Sequence, residues 1–119
     1  RCFYLEEEGL PAYDELIYVA NKTKLDRRMV KKFLDATELA TQFMINHPQE
    51  SWNIFKETSK ELDDELNKRA WVDTLPRFAL RPAALDHGRY SRFEKFLKET
   101  GLIKKQSPIE DLAIDIGKN

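Results

Sequence analysis

The groups best suited to chemistry in this chain crowd into one short stretch, EEEGLPAYDELIYVAN, residues 6–21. Glu6, Glu7, Glu8, Tyr13, Asp14 and Glu15 stand around Gly9 and Pro11, which mark the stretch from Glu6 to Glu15 as a loop. An aromatic ring among several carboxylates suits a small cationic or amino-bearing heterocycle. The carboxylates accept from exocyclic N–H groups, and the ring supplies a stacking face. The same residue types also describe an exposed acidic turn.

Elsewhere the chemistry is thin. His47 precedes Pro48 and His87 follows Asp86, so both read as helix-terminus residues and not as catalytic bases. There is no Ser-His-Asp spacing, nucleophile elbow, Gly-rich phosphate loop or HExxH motif, so no catalytic residue is assigned. Cys2 is the only cysteine, which rules out an intramolecular disulfide and a CxxC metal site, and no metal ligands are assigned. Asp63, Asp64 and Glu65 lie near a first helical turn, where carboxylates complement the helix dipole. Trp52 and Trp71 fall at helical spacing from other apolar residues and read as core.

Composition bounds the class. At 119 residues the chain has the size of one domain; 41% hydrophobic and 34% charged residues describe a globular chain rich in charge. A net charge of -1 gives no whole-domain field for nucleic acid or an anionic membrane, so no nucleic-acid partner is expected. The basic clusters Arg27, Arg28, Lys31, Lys32 and Arg89, Arg92, Lys95, Lys98 read as solvated helix faces. No apolar stretch approaches the roughly 20 residues that span a bilayer. The chain opens on Arg1 and not Met, which leads us to expect a segment upstream of it.

The elements that must position the loop follow from periodicity. Residues 1–5 suggest a short strand, and Leu16–Ala20 is an apolar, β-favouring run of the kind buried on both faces of a sheet. From Asp26 onward the signals are helical. Asp26 caps a helix whose apolar positions Met29, Val30, Phe33, Leu34, Ala40, Phe43 and Met44 keep steps of three and four to about Asn46. Pro48 ends that helix and opens a second, which carries Trp52 and Phe55 inward. Ser59 is expected to cap a third, with Leu62, Leu66, Ala70, Trp71 and Leu75, ended or kinked at Pro76. Asp86 caps a fourth, with Tyr90, Phe93, Phe96 and Leu97, stopped by Gly101. SPIED at 107–111 reads as a capping box opening a short last helix. The expectation is a mostly α chain of four to five helices plus one or two short strands. It divides into a crossover loop and buried strand at 1–21 and a helical remainder at 22–119, within a single 1–119 segment. One lone strand is marginal and needs a larger sheet, a helix layer or a second copy of itself.

Three blocks, EEEGLPAYDELIYVANKTKL, KFLDATELATQFMINHPQESWNIF and ELNKRAWVDTLPRFALRPAALDHGRY, together resemble the pyrimidine-precursor family of thiamine biosynthesis. That family joins bacterial ABC-transporter solute-binding proteins for formylaminopyrimidine and hydroxymethylpyrimidine to fungal hydroxymethylpyrimidine phosphate synthases. The resemblance implies the C-terminal part of an α/β type II periplasmic-binding-protein fold. In that architecture residues 1–20 return from the second lobe, Leu16–Ala20 joins the first lobe's sheet, and the helices complete that lobe. It implies Tyr13 as the ring contact, with Glu15 and Glu8 the preferred acids and Asp14 the third. Neighbouring side chains at a strand entrance face opposite sides, so these acids cannot all reach the cleft. Glu6 and Glu7 read as surface.

The family's synthase branch carries a Cys-rich run before the strand. This chain has Gly9, Leu10, Pro11, Ala12, Tyr13, Asp14 and Glu15 there instead. The departure favours the solute-binding branch, with a periplasmic or extracytoplasmic full-length parent, a small pyrimidine as ligand, an ABC permease as partner and no cofactor. The synthase is the alternative. The resemblance implies that its pyridoxal phosphate lysine and substrate histidine lie upstream of this chain. A third reading is a helical module that self-associates through Leu16–Ala20 without a ligand.

Overall fold

The structure, a computed structural model, describes residues 3–116. The chain divides into two compact units: Arg27–Ala83 forms one, and Arg1–Asp26 with Ala84–Asn119 forms the other. Regular structure among the described residues is helical throughout.

The Arg27–Ala83 unit is a set of short helices closing on a small apolar core. Helix α1 (Arg27–Asn46) starts directly after Asp26, and α2 (Pro48–Lys56) starts at Pro48, as the two proline rules require. His47 sits at the joint: its N–H donates to the Phe43 carbonyl at 2.8 Å, and its ring stacks on Phe43 with centroids 4.9 Å apart. Ser51 is buried yet satisfied, donating from Oγ to the Pro48 carbonyl at 3.1 Å. Ser59 does cap an element, but only a single 3-10 turn at Lys60–Leu62. The helix beyond it, α3 (Glu65–Thr74), has its own cap, Asp64, whose carboxylate accepts from Asn67 N–H at 2.7 Å. A carboxylate with extended backbone one residue before the helix competes better for the orphan amides than a serine six residues upstream. Pro76 stops α3 through a 3-10 turn at Leu75–Arg77.

Leu34 of α1, Trp52 of α2 and Leu75 of the closing turn are the buried apolar residues, and none of them is sealed completely from solvent. Trp71 of α3 stacks on Phe55 with centroids 4.6 Å apart, and Trp52 lies 6.1 Å from each of them. This aromatic trio joins α2 to α3. On α1 the inward face is Val30, Leu34, Thr37, Thr41 and Met44, while Met29, Phe33 and Leu39 are exposed.

The other unit holds helix α4 (His87–Glu99), the single-turn helix α5 (Ile109–Leu112) and the N-terminal loop. Asp86 caps α4 by accepting from Arg89 N–H at 2.9 Å. Gly101 ends it at φ 76°, where Leu102 N–H reaches back to the Leu97 carbonyl and Gly101 N–H to that of Lys98. This is the paired closure that a left-handed residue after a helix makes possible. The same closure recurs at the start of the chain. Leu10 N–H bonds Leu5 O and Gly9 N–H bonds Glu6 O, with Gly9 at φ 92°.

That turn corrects the strand expected at 1–5: residues 4–10 curl into one helical turn, and Arg1 and Cys2 lie outside the described residues. The strand expected at Leu16–Ala20 is not formed either, and no strand occurs among the described residues. Leu16 is 95% and Val19 85% exposed, so the run is not buried. A strand exists only through a ladder with a neighbour, and no other described segment offers one. The capping box at 107–111 is also replaced. Pro108 occupies the cap position of α5, and Ser107 N–H donates to Glu94 Oε1 of α4. That amide is the one a box glutamate would have taken.

Candidate functional site

The two-residue step Tyr13-Asp14 docks the N-terminal loop onto one face of α4. Tyr13 stacks nearly parallel on Phe93, with centroids 4.7 Å apart and planes 10° from parallel. Asp14 Oδ1 pairs with the Arg89 guanidinium. Arg89 and Phe93 are four residues apart and therefore lie one above the other on the helix. Adjacent loop residues thus meet vertically adjacent helix residues, which fixes both the height and the rotation of the loop. Phe93 in turn lies 6.3 Å from Phe96, which extends the apolar backing of the Tyr13 ring.

Charge gathers at this contact. The Glu15 carboxylate holds the Tyr13 phenol pKa above its ordinary value, first by its charge; partial burial, hydrogen bonding to Glu15 and the charge of Glu6 add to it. Burial raises the Tyr90 phenol, and the charge of Asp14 raises it further. Asp86 is shifted the other way. The Arg89 N–H at the helix start lowers its pKa, burial opposes this, and the charges of Arg89 and Arg92 lower it further. Arg89 therefore serves two carboxylates, Asp14 from the loop and Asp86 from the cap at 3.7 Å.

Of the four residues expected to face a ligand, the structure brings three together. Tyr13 and Glu15 interact with each other, and Asp14 is held by Arg89 beside them. Glu8 sits on the exposed turn before Gly9, and its carboxylate makes no hydrogen bond or ion pair among the described residues. Glu6, read as surface, has the charge that reaches Tyr13. Arg89 and Phe93 escaped the reading for site residues. By sequence Arg89 belongs to a basic face that reads as solvated and Phe93 to a helix core; only their spacing of four points to a shared docking face. His87 begins α4, and its Nε2 is buried without a hydrogen-bond partner among the described residues.

The arrangement offers a flat heterocycle an aromatic ring already backed on one side, with a carboxylate at its hydroxyl edge. A recess lined by Lys56, Glu57, Lys60 and Asp63 lies in the Arg27–Ala83 unit. Lys56 Nζ there donates to both Asp63 oxygens at 3.2 and 3.3 Å, and the recess offers no aromatic face. Among the described residues no cluster of His, Cys, Asp and Glu could hold a metal ion, and no helix is long and apolar enough to cross a membrane.

The Asp86 cap carries a pH prediction. Its folded pKa is lowered, so its contribution to stability is present above the unfolded carboxylate value of about 3.9 and is lost as pH falls through the folded one. Amide exchange at Gly88 and Arg89 should accelerate in that acid range in the parent chain. In Asp86→Ala the acceleration should be present already at neutral pH. Identical exchange in the two chains would remove Asp86 from the capping role.

The family described as NMT1/THI5 like matches residues 1–51. A protein of Haemophilus influenzae, provisionally named for thiamine biosynthesis, is 42% identical over 116 residues, 97% of this chain and 37% of the relative. The 4-amino-5-hydroxymethyl-2-methylpyrimidine phosphate synthase of Candida albicans is 31% identical over 71 residues, 58% of this chain and 21% of the relative. The chain therefore spans little more than a third of the length of the Haemophilus protein. No solved structure matches the chain significantly. The family match and both relatives support the thiamine pyrimidine-precursor family for this chain.

Proposed function

We propose that this chain is the C-terminal part of a solute-binding protein that delivers a thiamine pyrimidine precursor to an ABC permease outside the cytoplasm. The observation that carries the reading is the Tyr13–Phe93 stack with Glu15 at the phenol, Tyr13 and Glu15 lying within the residues that match the family. A pyrimidine ring would lie on the face of Tyr13 opposite Phe93. Glu15 would accept from its exocyclic amino group, and Glu8 or Asp14 from a second donor. Full affinity needs the ligand enclosed between two lobes of a type II periplasmic-binding-protein fold, with hinge closure over it. In that fold Leu16–Ala20 would find its sheet.

The chain by itself should therefore bind 4-amino-5-hydroxymethyl-2-methylpyrimidine only weakly, at about millimolar concentration, the low end of the affinity scale. A nuclear magnetic resonance titration should move the Tyr13 and Glu15 signals and leave those of the Lys56–Asp63 recess in place. Micromolar binding that Tyr13→Ala leaves unchanged would overturn the site.

The synthase relative favours a second reading, a pyrimidine-forming enzyme of thiamine biosynthesis. Growth of a pyrimidine-requiring thiamine auxotroph expressing the full-length gene separates the two. A synthase supports growth with no pyrimidine supplied, whereas a transport component lowers the external pyrimidine needed.

A further inference from the structure

Two flat rings in a stack resist being pulled apart, but they slide and turn in their common plane at little cost. The Tyr13–Phe93 contact by itself therefore leaves open the direction in which the next residues leave the ring. Glu15 is one of those residues. It is exposed, and the partner it meets is the Tyr13 phenol, whose O–H it accepts. The residue between them, Asp14, has an anchor of its own on α4. Arg89 Nη1 donates to Asp14 Oδ1, one helical turn from Phe93. A second contact one residue beyond the stack removes both the sliding and the turning.

Arg89 is itself held in place. Asp86 Oδ1 accepts its backbone N–H at 2.9 Å, and Asp86 Oδ2 lies 3.7 Å from its Nε. One planar guanidinium thus spans two carboxylates through different nitrogens, which the point charge of a lysine cannot do. Gly88 leaves room for a second cation at the same cap. A Cβ there would stand 3.1 Å from Arg92 Nη1 and 3.3 Å from Asp86 Oδ1. Two arginines therefore face two aspartates, and Arg89 can commit Nη1 to the loop. Both ends of this link belong to one compact unit. The Arg89 and Asp14 side chains are 39 and 33% exposed, so the pair adds little to stability, and its effect is on placement.

We propose that Arg89 is a positioning residue of the pyrimidine site: by tying Asp14 to the Asp86 cap, it aims Glu15 at the amino edge of a ring lying on Tyr13. The inference rests on the pyrimidine reading above and adds to it the residue that makes the site prefer an amino-bearing ring.

The test uses the full-length protein and two ligands, 4-amino-5-hydroxymethyl-2-methylpyrimidine and the same ring with hydrogen in place of the amino group. In calorimetric titrations Arg89→Gln should weaken binding of the amino compound about fivefold, the upper end for a part-exposed pair, and of the deaminated ring by less than about twofold. Arg89→Lys should recover only part of the preference. Glu15→Ala should remove most of it, and adding Arg89→Gln should then reduce it no further, because the two residues act as one unit. Equal weakening of both ligands by Arg89→Gln overturns the proposal, since general damage to the site affects the ring and not its amino group. An unchanged preference overturns it too, as does a further loss in the Glu15→Ala background. No binding of either ligand by the unmutated protein overturns the pyrimidine reading itself, and this inference with it.

Discussion

Trp52→Ala is expected to remove about 3–5 kcal/mol from the Arg27–Ala83 unit, the range for deleting a buried large aromatic. Trp52 is 5% exposed, and with Leu34 and Leu75 it makes up the buried apolar set, so no second core layer compensates. Its ring also stands 6.1 Å from both Phe55 and Trp71, and its loss uncouples α2 from α3. Stabilities of single domains run about 5–15 kcal/mol, with small units at the low end, so the loss is most of what holds this unit together. Urea unfolding followed by Trp71 fluorescence should show the midpoint collapse toward zero denaturant. Trp52→Phe, which keeps a ring in place, should fall between. A loss under about 1 kcal/mol for the alanine variant would be the size of a surface change and would show that Trp52 is not core.

Phe93→Ala has the second-largest expected effect, and it acts on the candidate site. Phe93 is half-buried, so the loss should be about 2–3 kcal/mol, below the range for a fully buried ring, and it includes the stacking gained against Tyr13. Helix α4 itself should persist, because the Asp86 cap and the Gly101 closure do not involve the Phe93 side chain. What is lost is the floor under Tyr13. The Tyr13 ring protons, shielded by a ring 4.7 Å away, should move downfield, while the Asp14–Arg89 pair alone keeps the loop loosely attached. Phe93→Leu retains most of the volume without the aromatic face and should restore stability more than the chemical shift. Unchanged Tyr13 shifts in Phe93→Ala would show that the stack does not order the loop.

The two variants probe different kinds of information. Helix limits were legible because their determinants are local. Pro48 has no N–H to donate, Asp86 can reach an amide three residues on, and Gly101 tolerates a positive φ without a Cβ clash. The face each helix buries was less legible. On α1 both the Met29–Phe33 row and the Val30–Leu34 row satisfy the same periodicity, and the structure chooses the second. That choice enlists Thr37 and Thr41, which a hydrophobic pattern passes over. Caps with two contenders also eluded local reading: Asp64 displaced Ser59, and Glu94 took the Ser107 amide that the capping box reserves for its own glutamate.

At the site, the sequence alone marked the loop of Glu6, Glu7, Glu8, Tyr13, Asp14 and Glu15 as suited to an amino-bearing ring, because residue type and adjacency are local properties. The family resemblance followed from three separate blocks, of which this stretch is one. Tertiary structure alone decided that Tyr13 and Asp14 rest on Phe93 and Arg89, some 75 residues away in the chain. It also brought the charge of Glu6, a surface residue by sequence, to the phenol beside that of Glu15, and left Glu8 on an exposed turn. The Leu16–Ala20 run shows the same division most sharply. Its composition favours a strand, yet a strand is a relation between two segments, and hydrogen bonds to a neighbour cannot be encoded in five residues by themselves. Composition determines which segments seek a partner; the fold determines whether one is within reach.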